Sequence, residues 1–477
     1  MISELKKTAL GCASAIAFSL ALAPCSATAQ TSAAAEQELL HSVAAEVDPE
    51  SLRAYLTAMV GFGTRHTLSD TVSETRGIGA ARRWVEQEFR KIGAECGGCF
   101  EIALPAETVT GPRIPNPTEL VNVLAIQRGS GDPNRVILIS GHLDSRVTDI
   151  LNATDDAPGA NDDGSGVAAV MEAARILSKH KFDATLVYAA LVGEEQGLVG
   201  ARIVADYARA QGWVIEANLN NDVVGNSLSQ TGQRDSTRIR VFSEGTKIVE
   251  TPEQGAYRRS VGGELDSPSR NLARYIDSIA DRYLMNFDVD LIYRPDRYGR
   301  GGDQTEMLRA GFPAVRITEG AEHYDRQHQD LRTENGIEYG DTLEAVDFDY
   351  LAQATRLNVA AMASLANAPM PPADVTLGRP PRDTPRTVWN GTGVRLTWSP
   401  AAGATGYRVW WRSTTAVQWT NSREAGSATE LLIPGISIDD YNFGVSSISE
   451  DGYESPVAFP GQPGAFISAP NPAAPNR

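Results

Sequence analysis

Apolar runs and helix-spaced apolar residues alternate along the chain from Glu36 to about Ala368. Val136–Ser140 (VILIS), Thr185–Val192 (TLVYAALV) and Ala314–Thr318 (AVRIT) are short, continuous and bounded by turn residues, as strands covered on both faces are. Between them, Val167–Leu177 (VAAVMEAARIL) and Leu198–Ala208 (LVGARIVADYA) carry their apolar residues at helical spacing. This rhythm predicts an α/β layer structure, one sheet covered by helices on both faces. Near Pro371 the texture changes: PMPPADVTLGRPPRDTP is proline-rich and polar and predicts a linker. Beyond it GVRLTWSP, YRVWWRS, ELLIPGI and YNFGVSSIS alternate apolar and polar residues with period two and predict a second, all-β domain. The expected units are therefore 36–368, then linker and β domain over 369–461, then a flexible tail over 462–477.

Residues 1–29 stand apart. Lys6 and Lys7, the apolar stretch Ala9–Ala23 and the small-x-small run Ala27-Thr28-Ala29 read as a cleavable export signal, and the mature chain is expected to be secreted or periplasmic. Cys25 also admits a lipoprotein signal, although Pro24 stands where such a signal has a small residue. No later stretch reaches the ~18 consecutive apolar residues of a membrane span. A formal net charge of -17 argues against a nucleic-acid partner, because there is no basic field to meet phosphate. Signal removal leaves Cys96 and Cys99, whose close spacing in ECGGC favours a small structural disulfide over a redox or zinc role.

The chemistry gathers at predicted strand ends. Val136–Ser140 delivers SGHLDSRVTDILNATDDAPGANDDGSG, one histidine amid many aspartates, into a loop at its carboxyl end, where ligands of α/β sheets collect. Thr185–Val192 runs into Glu194-Glu195, EANLNN into Asp222, and AVRIT precedes Glu319 and then His328. Ionised carboxylates packed together repel unless a cation joins them. Histidine with Asp and Glu, without cysteine, suits zinc or a similar divalent ion, and two histidines with several acids suffice for two metals sharing one carboxylate.

GHLDS, APGANDDGSG, GEEQGLVGAR, NNDVVGN and the histidine of RQHQD occur in the order and spacing of the two-zinc exopeptidase family. The resemblance runs from about Ser51 to Leu365. That family includes secreted bacterial leucyl aminopeptidases, glutamate carboxypeptidase and the catalytically dead transferrin-receptor ectodomain. The resemblance implies a mixed central sheet covered by helices on both faces and two Zn2+ ions per chain. It makes His142 and Asp222 ligands of the first zinc, Glu195 and His328 ligands of the second, and Asp162 the bridge. It further implies a cis Asp162–Asp163 peptide, Glu194 as general base and Asp144 as the partner that orients His142. Asn161 and Asp163 are neighbours and not ligands in this scheme, and His323 is a decoy for His328.

The segment GGDQTEMLRAGFPAV, with Asp303, resembles the family's substrate-pocket segment, but Gln304 stands where the family has histidine. Arg294, Arg297 and Arg300 offer a clamp for a substrate carboxylate, or pair with the protein's own acids on an exposed loop. Tyr298 offers a hydroxyl to an oxyanion. His41, His66 and His180 lack acidic context and read as exposed or structural, and Asp149, Asp155 and Asp156 as a solvated loop.

In the β domain, Trp398, Tyr407, Tyr441 and DGYESPV resemble fibronectin type III strands over Ala373–Phe459, with a generic β-sandwich as the alternative. The expected function is a secreted zinc exopeptidase acting on peptides, an aminopeptidase first and a carboxypeptidase or dipeptidase second. A non-catalytic binding protein is the reading from another class, and surface or polymer attachment through the β domain is a further expectation.

Overall fold

The structure, a computed structural model, describes residues 37–389 and 392–461. The expected export signal and the expected tail lie outside the described residues. Helices α1 (Glu38–Ala45), α2 (Pro49–Val60) and α3 (Gly77–Glu95) come first. Strand β1 (Phe100–Ala103), the hairpin β2 (Ala106–Gly111) and β3 (Ile114–Val121), then β4 (Val123–Gln127) and β5 (Asp132–His142) follow. The chain then alternates through α4 (Gly164–Leu177), β6 (Ala184–Leu191), α5 (Val199–Ala210) and β7 (Val214–Asn221). Next are β8 (Arg238–Phe242), α6 (Pro252–Val261), α7 (Pro268–Tyr283), β9 (Asp288–Ile292), α8 (Gln304–Arg309) and β10 (Ala314–Glu319). A small hairpin of β11 (Arg332–Glu334) and β12 (Ile337–Tyr339) precedes α9 (Phe348–Asn367).

Eight strands form one mixed sheet in the order β1-β4-β6-β5-β7-β10-β8-β9. The central four, β6, β5, β7 and β10, are parallel neighbours, so their carboxyl ends share one edge. Alternation along β5 decides what each face meets. Ile137 and Ile139 join the core that includes α4 and α9, whereas Val136 and Leu138 join the core under α5 and α8. Because both faces are covered, these strands read as unbroken apolar runs. The sequence missed the hairpin β2–β3, whose mostly exposed residues carry no burial signal.

Glycine is required where α4 meets the sheet. A Cβ on Gly141 would lie 2.6 Å from the Gly166 carbonyl carbon, and one on Gly166 would lie 2.4 Å from the Asn221 carbonyl oxygen. The first turn of α4 therefore presses directly on the ends of β5 and β7, and Asp163 caps it by accepting the Gly166 amide at 3.0 Å. Cys96 and Cys99 form a disulfide just after α3.

After α9, strands β13 (Thr376–Gly378), β14 (Gly393–Thr397), β15 (Gly406–Ser413), β16 (Asn421–Gly426), β17 (Glu430–Pro434) and β18 (Tyr441–Ile448) build two three-stranded sheets, β13-β14-β17 and β16-β15-β18. Val394, Leu396, Trp398, Val409 and Phe443 fill the space between them. This sandwich seats on α7. Asp266, fully buried, pairs with Arg274 at 2.7 Å and with Arg412 of β15 at 2.8 Å, and the Trp419 indole N–H donates to Asn271 at 3.1 Å. No described helix is long and apolar enough to cross a membrane.

Candidate metal centre

The parallel register sets the site at the shared carboxyl edge. His142 ends β5 opposite Leu191 of β6, so Glu194 and Glu195 begin three residues beyond the same level, and Asp222 follows the last residue of β7. Asp162 lies in the loop before α4, and His328 arrives from the loop after β10 with φ at 55°. Val223, next to Asp222, also has a positive φ of 62°, a costly state for a β-branched residue. Bonds hold it there: its amide donates to Asp163 at 3.2 Å, and its carbonyl accepts the Glu319 amide at 2.8 Å.

Asp162 is central. Its Oδ1 lies 3.2 Å from Nε2 of His142, and its Oδ2 lies 2.9 Å from Nε2 of His328. Beyond His142 lies Asp222, with Oδ1 3.9 Å from the same nitrogen; beyond His328 lies Glu195, with Oε1 2.9 Å away. Two donor groups result, His142 with Glu194 and Asp222, and Asp162 with Glu195 and His328, each within the span a single ion bridges. By distance alone Glu194 is thus also a candidate ligand of the first ion.

The residues fit divalent zinc. Nitrogen and carboxylate oxygen are its usual donors, and His142 Nε2 and Glu195 Oε1 are both buried without a hydrogen bond. Such orphaned buried atoms are costly unless a cation joins them.

Electrostatics follow the same lines. Burial opposes charge on His142, but its contact with Asp162 and the fields of Asp163, Glu194 and Asp222 outweigh it and hold its proton well above the ordinary imidazole range. Burial also opposes charge on His328, and Glu195 and Asp162 nevertheless push it up to about 10. Asp162 is held well below the usual carboxylate range: burial works against this, and the two imidazoles prevail. Glu194 goes the other way. Burial raises it well above the ordinary value against the pull of His142, with Glu195, Asp222 and Asp303 adding to the rise.

Asp144 differs from expectation. Nδ1 of His142 meets the backbone carbonyl of Asp144 at 2.9 Å, and the carboxylate is 3.8 Å away. That carboxylate instead accepts the amides of Gly193, Glu194 and Glu195 at 2.8, 3.3 and 3.2 Å, and the Thr67 hydroxyl at 2.8 Å. Three converging N–H groups are the stronger claim on a buried carboxylate, so Asp144 shapes the glutamate loop and orients the imidazole through its main chain. Asp163 points away from the donor groups, accepting the His142 amide at 2.9 Å.

Sequence reasoning missed several residues. Asp341 accepts the amides of Asn161 at 2.9 Å and Asp162 at 2.6 Å, clasping the bridging loop. Arg316 of β10, fully buried, pairs with Asp222 at 2.6 Å, and Arg146 pairs with Glu195 at 2.8 Å. Arg65, also buried, donates to the carbonyls of Leu143 and Gly159. A lone arginine inside a strand or loop has no local signature that marks it as a carboxylate's partner; only the fold supplies the pairing.

Other expected residues fall elsewhere. His323 joins neither donor group. His66 is buried, 3.1 Å from the Gln196 amide, and is structural. Asp156 pairs with Arg76 at 2.7 Å on the surface, as a solvated loop would. Arg297 pairs with the protein's own Asp296 and Glu322, as the alternative to a substrate clamp had it, but it is largely buried and not on an exposed loop. Tyr298 is 90% exposed. Gln304 donates to Asp296 at 2.5 Å and accepts from Asn220, a neutral link where an imidazole was expected. Asp303 is buried beside the site with neither carboxylate oxygen hydrogen-bonded, and burial raises it to about 8.

The parallel centre of a mixed sheet, whose carboxyl edge gathers two histidines around one carboxylate, defines a metal-binding class of site. Residues 122–347 match the model of Peptidase family M28. A probable zinc metalloprotease of Pyrenophora teres is 43% identical over 88% of this chain and 86% of its own length. A similar protein of Pyricularia oryzae is 44% identical over 88% and 84%. The chain belongs to peptidase family M28, and at that level it is a zinc metalloprotease. Its fold is also that of the Legionella pneumophila aminopeptidase LapA, with a TM-score of 0.53 at 21% identity over 70% of this chain and 76% of that one.

Proposed function

We propose that the protein is a secreted two-zinc exopeptidase that removes N-terminal residues from peptides. The observation that carries this reading is Asp162, whose two oxygens face two histidines from different loops, each histidine backed by its own carboxylate. His142 and Asp222 would hold one ion, Glu195 and His328 the other, with Asp162 between. Two such ions supply Lewis-acid polarisation of the scissile carbonyl and of the attacking water.

The chain's own residues do the rest. Glu194, with a proton affinity raised by burial, takes a proton from the water and returns it to the leaving amine. Asp144 keeps Glu194 beside Glu195 by holding three consecutive amides of their loop. A groove of about 610 Å3, lined by Thr108, Arg113, Gln196, Gly197, Val199 and Arg202, adjoins this loop and gives a peptide room.

The arginines beside the centre favour an amine over a carboxylate: Arg146, Arg297 and Arg316 are each committed to a protein carboxylate, which leaves none of the three for a substrate's. Residues 1–29 act as the export signal, and the β-sandwich is a fibronectin type III-like module. N-terminal sequencing of the exported protein should begin at Gln30 or beyond.

The test compares amino-acid anilides with N-blocked, C-terminally free dipeptides. Faster hydrolysis of the anilides, lost on chelation and regained with zinc, is expected. Preference for the blocked dipeptides would instead make the protein a carboxypeptidase, and inactivity on both would sink the exopeptidase reading.

A further inference from the structure

The six oxygens of Asp162, Asp222 and Glu195 are allocated unequally. Asp162 turns both of its oxygens to histidine nitrogens. Asp222 turns Oδ1 toward His142 and gives Oδ2 to the Arg316 guanidinium at 2.6 Å. Glu195 turns Oε1 toward His328 and gives Oε2 to Arg146 at 2.8 Å. The two outer carboxylates therefore share one arrangement, although their arginines come from different elements: Arg316 from the middle of β10, Arg146 from the loop after β5.

Both arginines are held from behind. Arg316 is fully buried and reaches the Asp222 carbonyl at 3.4 Å and Asp296 at 3.6 Å. The space for it exists because residue 302 is glycine; a Cβ there would come within 2.6 Å of the guanidinium. Arg146 is anchored by the Val147 carbonyl at 3.1 Å and the Thr148 carbonyl at 3.4 Å.

We propose that Arg316 and Arg146 are positioning residues that restrict Asp222 and Glu195 to one metal-binding oxygen each. A carboxylate chelates an ion through both oxygens only if both face it, and a guanidinium on the second oxygen forbids that. Each ion then receives three protein atoms: one imidazole nitrogen, one terminal oxygen and one oxygen of Asp162. Three protein ligands leave a tetrahedral zinc its open position. This inference rests on the two-ion reading above and adds to it the coordination number and the residues that set it.

The test uses the full-length protein loaded with Co2+ or Zn2+. Metal content is measured first, because two ions per chain belongs to the underlying reading and any other count overturns that reading rather than this one. X-ray absorption and the visible Co2+ spectrum of the unaltered protein then report coordination. Intense bands and a short four-atom shell are expected; weak bands with five or six neighbours overturn the proposal.

Arg146→Met and Arg316→Met should each let one carboxylate swing to two oxygens, weakening the Co2+ absorption several-fold at one ion only. Arg146→Lys, which restores a cation, should recover most of the unaltered spectrum. Arg146 is the less buried of the two, so its variants decide the matter if Arg316→Met does not fold. Two bound ions with spectra indifferent to both Met variants would show arginines that only neutralise charge, and would refute the proposal.

Discussion

Two buried charge clusters in this molecule use the same parts to opposite ends. At the domain junction, Asp266 is enclosed by Arg274 and Arg412 at 2.7 and 2.8 Å, and Arg274 spends its other hydrogens on Asn271 and the Val417 carbonyl. At the metal centre, Asp222 and Glu195 each receive one arginine and keep one oxygen turned toward a histidine. A carboxylate satisfied on both oxygens fixes two surfaces against each other. One satisfied on a single side, among orphaned buried atoms, is arranged for a cation that arrives from outside.

The sharpest way to break this contrast is to withdraw that cation. Dialysis against a chelator should abolish peptide hydrolysis and lower the unfolding temperature, while readdition of zinc should restore both. Loss of a ligand held at a thousandfold excess over its Kd removes about 4 kcal/mol of stability. Thermal denaturation followed beside activity checks this, and an unchanged melting temperature would deny the centre any structural metal linkage.

Next in size is Glu194→Gln. On the proposed role of Glu194 in proton transfer, its loss should lower kcat by about 10²–10⁴-fold, with metal content and melting temperature unchanged. Because Glu194 lies within ligand reach of His142 and Asp222, loss of one bound ion in this variant would reassign it from base to ligand.

Asp266→Ala attacks the other cluster. It leaves two buried guanidiniums unpaired and should destabilise the protein by about 3–5 kcal/mol, while the folded fraction keeps its kcat. Chemical denaturation with parallel assays separates the two clusters, and a fall in kcat per folded molecule would tie the junction to the active centre.

The smallest effect concerns a third buried pair, Glu216 with Arg135 at 3.1 Å. Burial raises Glu216 from 4.5 to about 7 against the pull of Arg135. The folded state thus favours the protonated form, so this group's stabilisation is full below the ordinary carboxylate value and is lost as pH rises through about 7. Glu216→Gln should flatten that part of the stability profile. Urea midpoints of both proteins at about pH 4 and about pH 8 check it, and parallel curves would remove Glu216 from the pH response.

Much of this was legible in the residue order. Continuous apolar runs marked β5, β6 and β10 because a strand covered on both faces needs no polar alternation, and the acids following β5, β6 and β7 fell at one edge because those strands are parallel. The hairpin β2–β3 was not legible, since its exposed residues obey no burial pattern. Nor was the partner of any buried charge. Arg316 is 94 positions from Asp222 and Arg146 is 182 from His328, and no local period connects such pairs. Which atom of Asp144 meets His142 was hidden for a related reason: the loop's three amides, invisible in the residue letters, compete for its carboxylate and leave its carbonyl to the imidazole.

The clasp on the bridging loop sets an order of events in synthesis. Asp162 is translated before the midpoint of the chain, yet its amide is held by Asp341, 179 residues later, and its second oxygen awaits His328. A ribosome-bound or truncated product that stops short of those positions has no clasp and only one of the two histidines. Completion of the centre therefore waits on the last third of the chain, which supplies both His328 and the clasp of Asp341.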